Sequence, residues 1–316
     1  MARKLRLQFE GAIYHIINRG NYRLDLFEAP GTLQAFRACL FEGAEQAGWR
    51  LYAFALMINH FHLAVQTPRA NLVEGMHWLQ STFASRFNRF RHENGHLFQG
   101  RYRAILVEPG PSLLRVVNYI HLNPVKAGVI GPEELAVYPW TSASLFIRGP
   151  RPASLVCAEW LRELGLPDDS SGWSAYQAHL QSLAANRRKQ SKLGFGAMNH
   201  GWAIGTNGWR AAIAKDYARL SLDQGYRKSE TIGVKVLQWQ LALERILVEI
   251  GKTKSDIQAD KKGSGWKVAA AQALRCQTTA SLSWIASRLR MGTAGSVSHH
   301  LYLVRKKRRQ NTEFRA

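Results

Sequence analysis

Two histidines, His60 and His62, stand one phenylalanine apart inside the apolar run MINHFHLAV at residues 57–65. Side chains on a β-strand alternate with period two, so both imidazoles project from one face. On a helix they would diverge by about 200°. Neighbouring neutral imidazoles can bind one cation, and with a third oxygen ligand and open positions they can hold Mg or Mn against a phosphate. An isolated pair of this kind more often marks two partly buried histidines bonded to backbone. A second stretch, VVNYIHLNPVKAG at residues 116–128, adds weight to the cation reading. Leu113, Val117 and Ile120 recur at helical spacing and make a core stripe. Tyr119 falls about 100° from Ile120, and Asn123, four residues on, shares its face. A tyrosine facing a cleft can be a nucleophile, and Asn123 can be an oxygen ligand. The same residues also read as a packing tyrosine and as an Asn-Pro cap. His121 is a competing ligand, but two residues along a helix turns it elsewhere.

The elements that must position these groups are legible in the pattern. GAIYHIINRG alternates like a strand, and TLQAFRACLFEGAEQAGW reads as a helix stopped by Gly48. RLYAFALMI and HFHLAVQTP read as two strands linked through Asn59. NLVEGMHWLQSTFASRFNRFRHENG is a long helix closed at Asn94-Gly95, GRYRAILVEP a further strand, and PSLLRVVNYIHLNPVKAGV a helix broken near Asn123-Pro124. The order β-α-β-β-α-β-α predicts an α+β unit, a ferredoxin-like split βαβ antiparallel sheet with helices on one face. We place this catalytic-type unit at residues 1–148. Residues 149–230 read as a linker-rich segment with short helices, and residues 231–316 as a helical domain. Within the last, KTKSDIQADKKGSG is expected to be polar and mobile. The segments VAAAQALR, SLSWIASRL and SVSHHLYLVRKKRR are expected to be helical.

The chain has 316 residues, 46% of them hydrophobic and 10% aromatic, enough to build a core. Its net charge of +21 points to a polyanionic partner, most often nucleic acid. The charge is uneven, +6 over residues 1–150 and +15 over residues 151–316. Three scattered cysteines, Cys39, Cys157 and Cys276, give no disulfide framework or CxxC metal site, which suits a cytoplasmic, nucleoid-associated protein. No run reaches the roughly 18 apolar residues of a membrane span, and no membrane partner is expected.

The HFH of residues 60–62, the downstream YIHLNPVKAG and the opening MARKLRLQFEGAIYHIINRGN together resemble the single-tyrosine HUH transposases. More narrowly they resemble the REP-associated tyrosine transposases, over roughly residues 1–148. The resemblance implies cleavage of single-stranded DNA by a tyrosine. His60 and His62 match the metal-binding pair and Tyr119 the nucleophile, with a divalent metal, Mg or Mn, as cofactor. Asn123 stands where related enzymes place a third polar ligand, commonly Gln. Attack by Tyr119 on a phosphodiester would give a covalent phosphotyrosine and a free 3′ hydroxyl, which conserves the bond for rejoining.

Candidate DNA contacts fall in three places. Arg86, Arg89, Arg91, Arg101 and Arg103 interleave with Phe87, Phe90, Phe98 and Tyr102, a pattern suited to unpaired bases and their phosphates. It is equally a core face backed by solvated arginines. Arg3, Lys4 and Arg6 form a basic N-terminal arm. Near the C-terminus, SLSWIASRLRMGTAGSVSHHLYLVRKKRR resembles the helix-turn-helix of bacterial replication initiators of the DnaA kind. There Ser296, Ser298, His299, Arg305, Lys306 and Lys307 are expected to face DNA. The expected partners are single-stranded DNA and DNA hairpins, and the sequence fixes no oligomeric state. Two other readings remain at this level: a non-catalytic DNA-binding regulator, and a metal-dependent nuclease that uses water.

Overall fold

In a computed structural model the chain is described over residues 7–23, 25–221 and 232–313. Two compact units are present, within residues 6–209 and 210–316. In the first, strands β1 (Ala12–Arg19), β2 (Arg50–Met57), β3 (His60–Thr67), β4 (Arg103–Val107) and β5 (Ala203–Ile204) form one sheet in the order β2-β3-β1-β4-β5. The first four strands pair antiparallel, as the split βαβ pattern predicts. The short β5, from the segment expected to be linker-rich, adds on parallel to β4.

Register explains which residues can meet. Ile17 lies opposite His62, Arg19 opposite His60 and His15 opposite Ala64, so all six share one sheet face. On β4, Ile105 and Arg103 lie opposite His15 and Ile17 and join that face. The other face carries Tyr14, Ile16, Phe61 and Leu63, all buried. Helices α1 (Thr32–Ala47) and α2 (Leu72–Arg91) cover it, with Phe36 between Phe61 and Phe83 at ring distances of 4.8 and 4.9 Å. Helix α3 (Pro111–His121) packs against the histidine face instead, so helices lie on both faces rather than one. Helix α2 stops earlier than expected. It ends at Arg91, where His92 takes a left-handed conformation at φ 54° and returns its N–H to Arg89 and Asn88 carbonyls.

Residues 149–209 belong to the same unit. The segment around 140–156 supplies partners to the exposed edge of β2, through Leu56 N–H to Trp140 O, Leu51 N–H to Ser154 O and Val156 N–H to Leu51 O. After α4 (Asn123–Lys126) come α5 (Ser142–Arg148), α6 (Ala158–Leu161), α7 (Ser170–Ala185) and α8 (Arg187–Lys192). They bury Phe146, Trp160, Trp173 and Tyr176 against each other, with Trp160 and Tyr176 fully enclosed. A polar chain threads this aromatic layer. Tyr176 donates to Asn118 Oδ1 (3.0 Å), so its oxygen accepts from His121 Nδ1 (2.8 Å). His121 Nε2 then accepts from Ser142 Oγ (2.7 Å), which itself accepts from Phe54 N–H (2.9 Å). His121 therefore ties α3 to β2, α5 and α7 and takes no part in the cleft where His60 lies.

That network requires neutral His121, and burial pushes its pKa down to about 3. Burial likewise lowers His15 to about 4, opposed by its bond to a backbone carbonyl. In the unfolded chain both protonate near 6.5. The unfolded state therefore binds more protons below pH 6.5, and stability falls with pH from there towards the folded values. Between pH 7 and 5 each histidine should cost about 2 kcal/mol. Urea denaturation at the two pH values is expected to show a markedly lower midpoint at pH 5.

The second unit contains most of α9 (Asn207–Ser221), then α10 (Ile232–Glu249), α11 (Lys254–Ala259), α12 (Gly265–Gln277), α13 (Leu282–Arg288) and α14 (Ala294–Glu313). Trp239, Leu243, Leu274, Ile285, Leu289, Val297 and Leu301 meet in its core. The polar stretch expected to be mobile is ordered: Thr253 and Asp256 cap α11 reciprocally. Fully buried Lys267 donates to the Ile257 and Asp260 carbonyls at 2.9 and 2.8 Å, closing the helix's other end. No helix among the described residues is long and apolar enough to cross a membrane.

Candidate active site

β3 delivers both histidines to one face. His62 is almost fully buried and His60 partly exposed, with ring centroids 5.1 Å apart. The hydrogen bonds fix where their protons lie. Met198 O can only accept, so His15 Nδ1, 3.0 Å away, carries a hydrogen. The neutral His15 ring then offers its Nε2 lone pair to His62 Nδ1–H at 3.0 Å. His62 is left with an Nε2 lone pair. His60 Nδ1 donates to Asn59 Oδ1 at 2.7 Å, which makes Nε2 its lone-pair atom as well. Burial lowers the pKa of His62 well below its usual range, and the charges of His15, His60 and Lys126 add to this. Burial and the nearby Arg19 lower His60, opposed by a hydrogen bond to Asn123. Both are unprotonated near neutrality.

α3 brings Tyr119 over these rings. Its ring lies edge-on to His62 and His15, 5.8 Å from each centroid, and only 4% of the residue is exposed. The helical path continues through Leu122, whose N–H reaches Asn118 O at 3.0 Å, so Asn123 stays on Tyr119's side. Asn123 opens α4 and does not cap it. Its side chain lies close enough to Tyr119 and to His60 to act on the protonation of both, lowering the phenol and raising the imidazole, and so stands between the nucleophile candidate and the histidine pair. Burial raises the Tyr119 phenol above its usual pKa, while hydrogen bonds from Asn199 and Asn123 pull it back. Lys126 places its ammonium 4.3 Å from the Tyr119 ring centre, and Phe195 packs edge-on to that ring at 5.6 Å.

Beside the histidines opens a cleft of about 710 Å³, lined by Arg19, Asn59, His60, His62, Gln99, Arg101, Arg103 and Asn199 among others. Its volume suits a nucleotide-sized ligand. Arg103 donates to Asn199 O at 2.7 Å, and Asn199 Oδ1 is buried without a protein partner.

The arginine–aromatic stretch is divided by the fold. Arg101 and Arg103 line the cleft. Arg86 instead pairs with Glu42 of α1 at 2.7 Å, on the opposite side of the sheet, and Arg91 pairs with Glu93 at 2.9 Å and leans on Phe87. Arg89 lies exposed in the last turn of α2. Phe98 packs on Phe61 and Phe83, so only Phe90, 72% exposed, offers a free aromatic face. Arg3, Lys4 and Arg6 lie outside the described residues. In the second unit Ser298 and His299 are exposed on α14, Ser296 is half-buried with its Oγ 3.1 Å from Thr293 Oγ1, and the side chains of Arg305, Lys306 and Lys307 are not described. α13 and α14 are joined by a turn in which Arg290 and Gly292 take φ of 51° and 92°.

Among the described residues no three His, Cys, Asp or Glu side chains cluster to hold a metal ion. The donor set present is two neutral imidazoles and one carboxamide. Three further contributors had no sequence signal of their own: His15 sits in an ordinary apolar strand, while Asn199 and Met198 come from the segment that reads as a linker.

Residues 8–123 match the family model described as Transposase IS200 like. Among solved structures, one of the REP-associated tyrosine transposase bound to a REP hairpin is 17% identical, with a TM-score of 0.39, over 49% of this chain and 92% of that one. A transposase candidate from Deinococcus radiodurans R1 is 23% identical, with a TM-score of 0.28, over 34% of this chain and 87% of that one. No curated protein matches the chain.

Proposed function

From the match of residues 8–123 to the IS200-like transposase model, we propose that this protein cleaves and rejoins single-stranded DNA beside hairpin-forming, REP-like palindromes through a phosphotyrosine at Tyr119. The observation that carries this reading is the Tyr119 ring, standing edge-on to His62 with ring centroids 5.8 Å apart. This packing sets a nucleophile candidate against a histidine pair at the wall of one cationic cleft.

Tyr119 Oη attacks the scissile phosphorus, the P–O3′ bond breaks, and the 3′ oxygen leaves as a hydroxyl after taking up a proton. A phenol raised by burial needs help to lose its own proton. Asn123 and Asn199 stabilise the phenolate through hydrogen bonds, and the Lys126 ammonium over the ring attracts the developing charge. Arg101 and Arg103 hold the flanking phosphates. His60, His62 and Asn123 would hold the Mg or Mn ion. Their neutral imidazoles and carboxamide oxygen fit such a cation, which would neutralise charge on the phosphate as a Lewis acid. The test is a labelled single-stranded oligonucleotide carrying a hairpin. An adduct resistant to SDS is expected, whereas a regulator gives no cleavage and a water-using nuclease gives cleavage without an adduct.

The excess positive charge after residue 150 supports a second task for residues 210–316. We propose that α13 and α14, with Ser296, Ser298, His299 and the basic run Arg305–Lys307, grip the duplex stem while the cleft takes the unpaired strand. Two tethered binding sites raise apparent affinity through effective concentration. A chain ending near residue 209 is expected to nick a short single strand at high concentration. It should bind the hairpin more weakly, with a log–log salt slope shallower by about one unit for each phosphate that the second unit neutralises. Affinities measured from roughly 50 to 300 mM salt check this; equal slopes would remove the second unit from this DNA.

A further inference from the structure

His15 has no part in the chemistry above, yet it is completely buried and makes two hydrogen bonds that few strand histidines have reason to make. One ring nitrogen faces a carbonyl from the 195–200 segment. The other faces the inner nitrogen of His62. A neutral histidine alone in solution carries its hydrogen on either nitrogen, and only the form with an Nε2 lone pair can ligate through Nε2. Met198 O accepts and cannot donate, so it dictates the hydrogen on His15 Nδ1. The Nε2 lone pair of His15 in turn dictates the hydrogen on His62 Nδ1.

From this chain we infer that His15 is a positioning residue, which locks His62 in the Nδ1–H tautomer and aims its Nε2 lone pair into the site. The inference rests on the reading of His62 as a cation ligand for its consequence, though not for the tautomer itself. Ring packing supports the same role. The His15 and His62 rings lie 5.2 Å apart with planes 25° from parallel, and Tyr119 stands edge-on to both, so His62 has little room to turn. The backbone carbonyl that starts the relay comes from beyond residue 190. The folded 149–209 segment would thus help set the protonation pattern of a residue on β3, about 135 positions earlier in the chain.

The tautomer can be read without any metal. Long-range proton–nitrogen spectra of the full-length protein labelled with nitrogen-15 histidine distinguish Nδ1–H from Nε2–H. The wild type is expected to show His62 as Nδ1–H. In His15→Phe that signature should be lost or mixed. His15→Gln, whose amide can both donate to Met198 O and accept from His62, should restore it. Binding of Mn alone, followed by titration, should weaken by about 10- to 100-fold in His15→Phe and recover to within a few-fold in His15→Gln. An Nε2–H signature for His62 in the wild type overturns the inference whether or not the variants fold. So does an unchanged Nδ1–H signature or unchanged Mn affinity in His15→Phe. If the tautomer responds as expected but the wild type itself binds no Mn, the inference holds and the cation reading fails.

Discussion

Replacing Tyr119 with phenylalanine is expected to lower strand cleavage by at least about 10⁴-fold, the scale of removing a nucleophile. The substitution deletes one oxygen. The ring that packs against His62, His15 and Phe195 remains, so the fold and the cleft should survive. Affinity for a single-stranded oligonucleotide should stay within a few-fold of the wild type, because Arg101 and Arg103 are untouched. Cleavage at an undiminished rate would hand the reaction to water or to another tyrosine. Tyr102, next to the cleft residues Arg101 and Arg103, and Tyr138 are then the tyrosines to test.

The second large effect concerns the histidine pair. His60→Ala and His62→Ala should each reduce cleavage in Mg or Mn by on the order of 10³-fold, several kcal/mol of transition-state charge stabilisation. EDTA should do the same to the wild-type protein. Asn123→Ala should cost less, because water can replace a missing oxygen ligand around an oxygen-seeking cation. Its removal also frees Tyr119 from one of the two hydrogen bonds that lower its pKa. Cleavage by Asn123→Ala should therefore need a higher pH than the wild type, a displacement that pH–rate profiles detect. Full-rate cleavage in EDTA would contradict the metal reading while leaving the nucleophile unaffected.

The sequence revealed the pieces whose periodicity is local. Four antiparallel strands, the helix carrying Tyr119 and the shared face of His60 and His62 all follow from alternation and helical spacing within short windows. Packing between distant segments was not legible. A single histidine in AIYHIINR looks like any buried strand residue until β1 is paired with β3 and the 195–200 loop is folded back over it. The Gly-, Pro- and Ser-rich stretches after residue 148 look like linkers because turn residues dominate them. They fold because Trp160, Trp173 and Tyr176, spaced irregularly between those turns, bury together. The arginine-rich stretch is divided by the fold for a related reason. Its alternation runs through the end of α2 and an irregular connection, so neighbours in sequence turn to different sides of the sheet. His121, which helical spacing already turns away from Tyr119's face, is a neutral structural link at the end of the helix that carries Tyr119.

Which atom becomes joined to DNA decides whether this protein works as proposed. Wild-type protein should be incubated with a single-stranded hairpin substrate and a divalent cation, then denatured and digested with protease and nuclease. Mass spectrometry of the remaining nucleotide-bearing peptide locates the linkage. The expected result is one modified residue, Tyr119, joined through its phenolic oxygen to a 5′ phosphate. A cleaved substrate with no modified peptide, or a nucleotide on any other side chain, would contradict it.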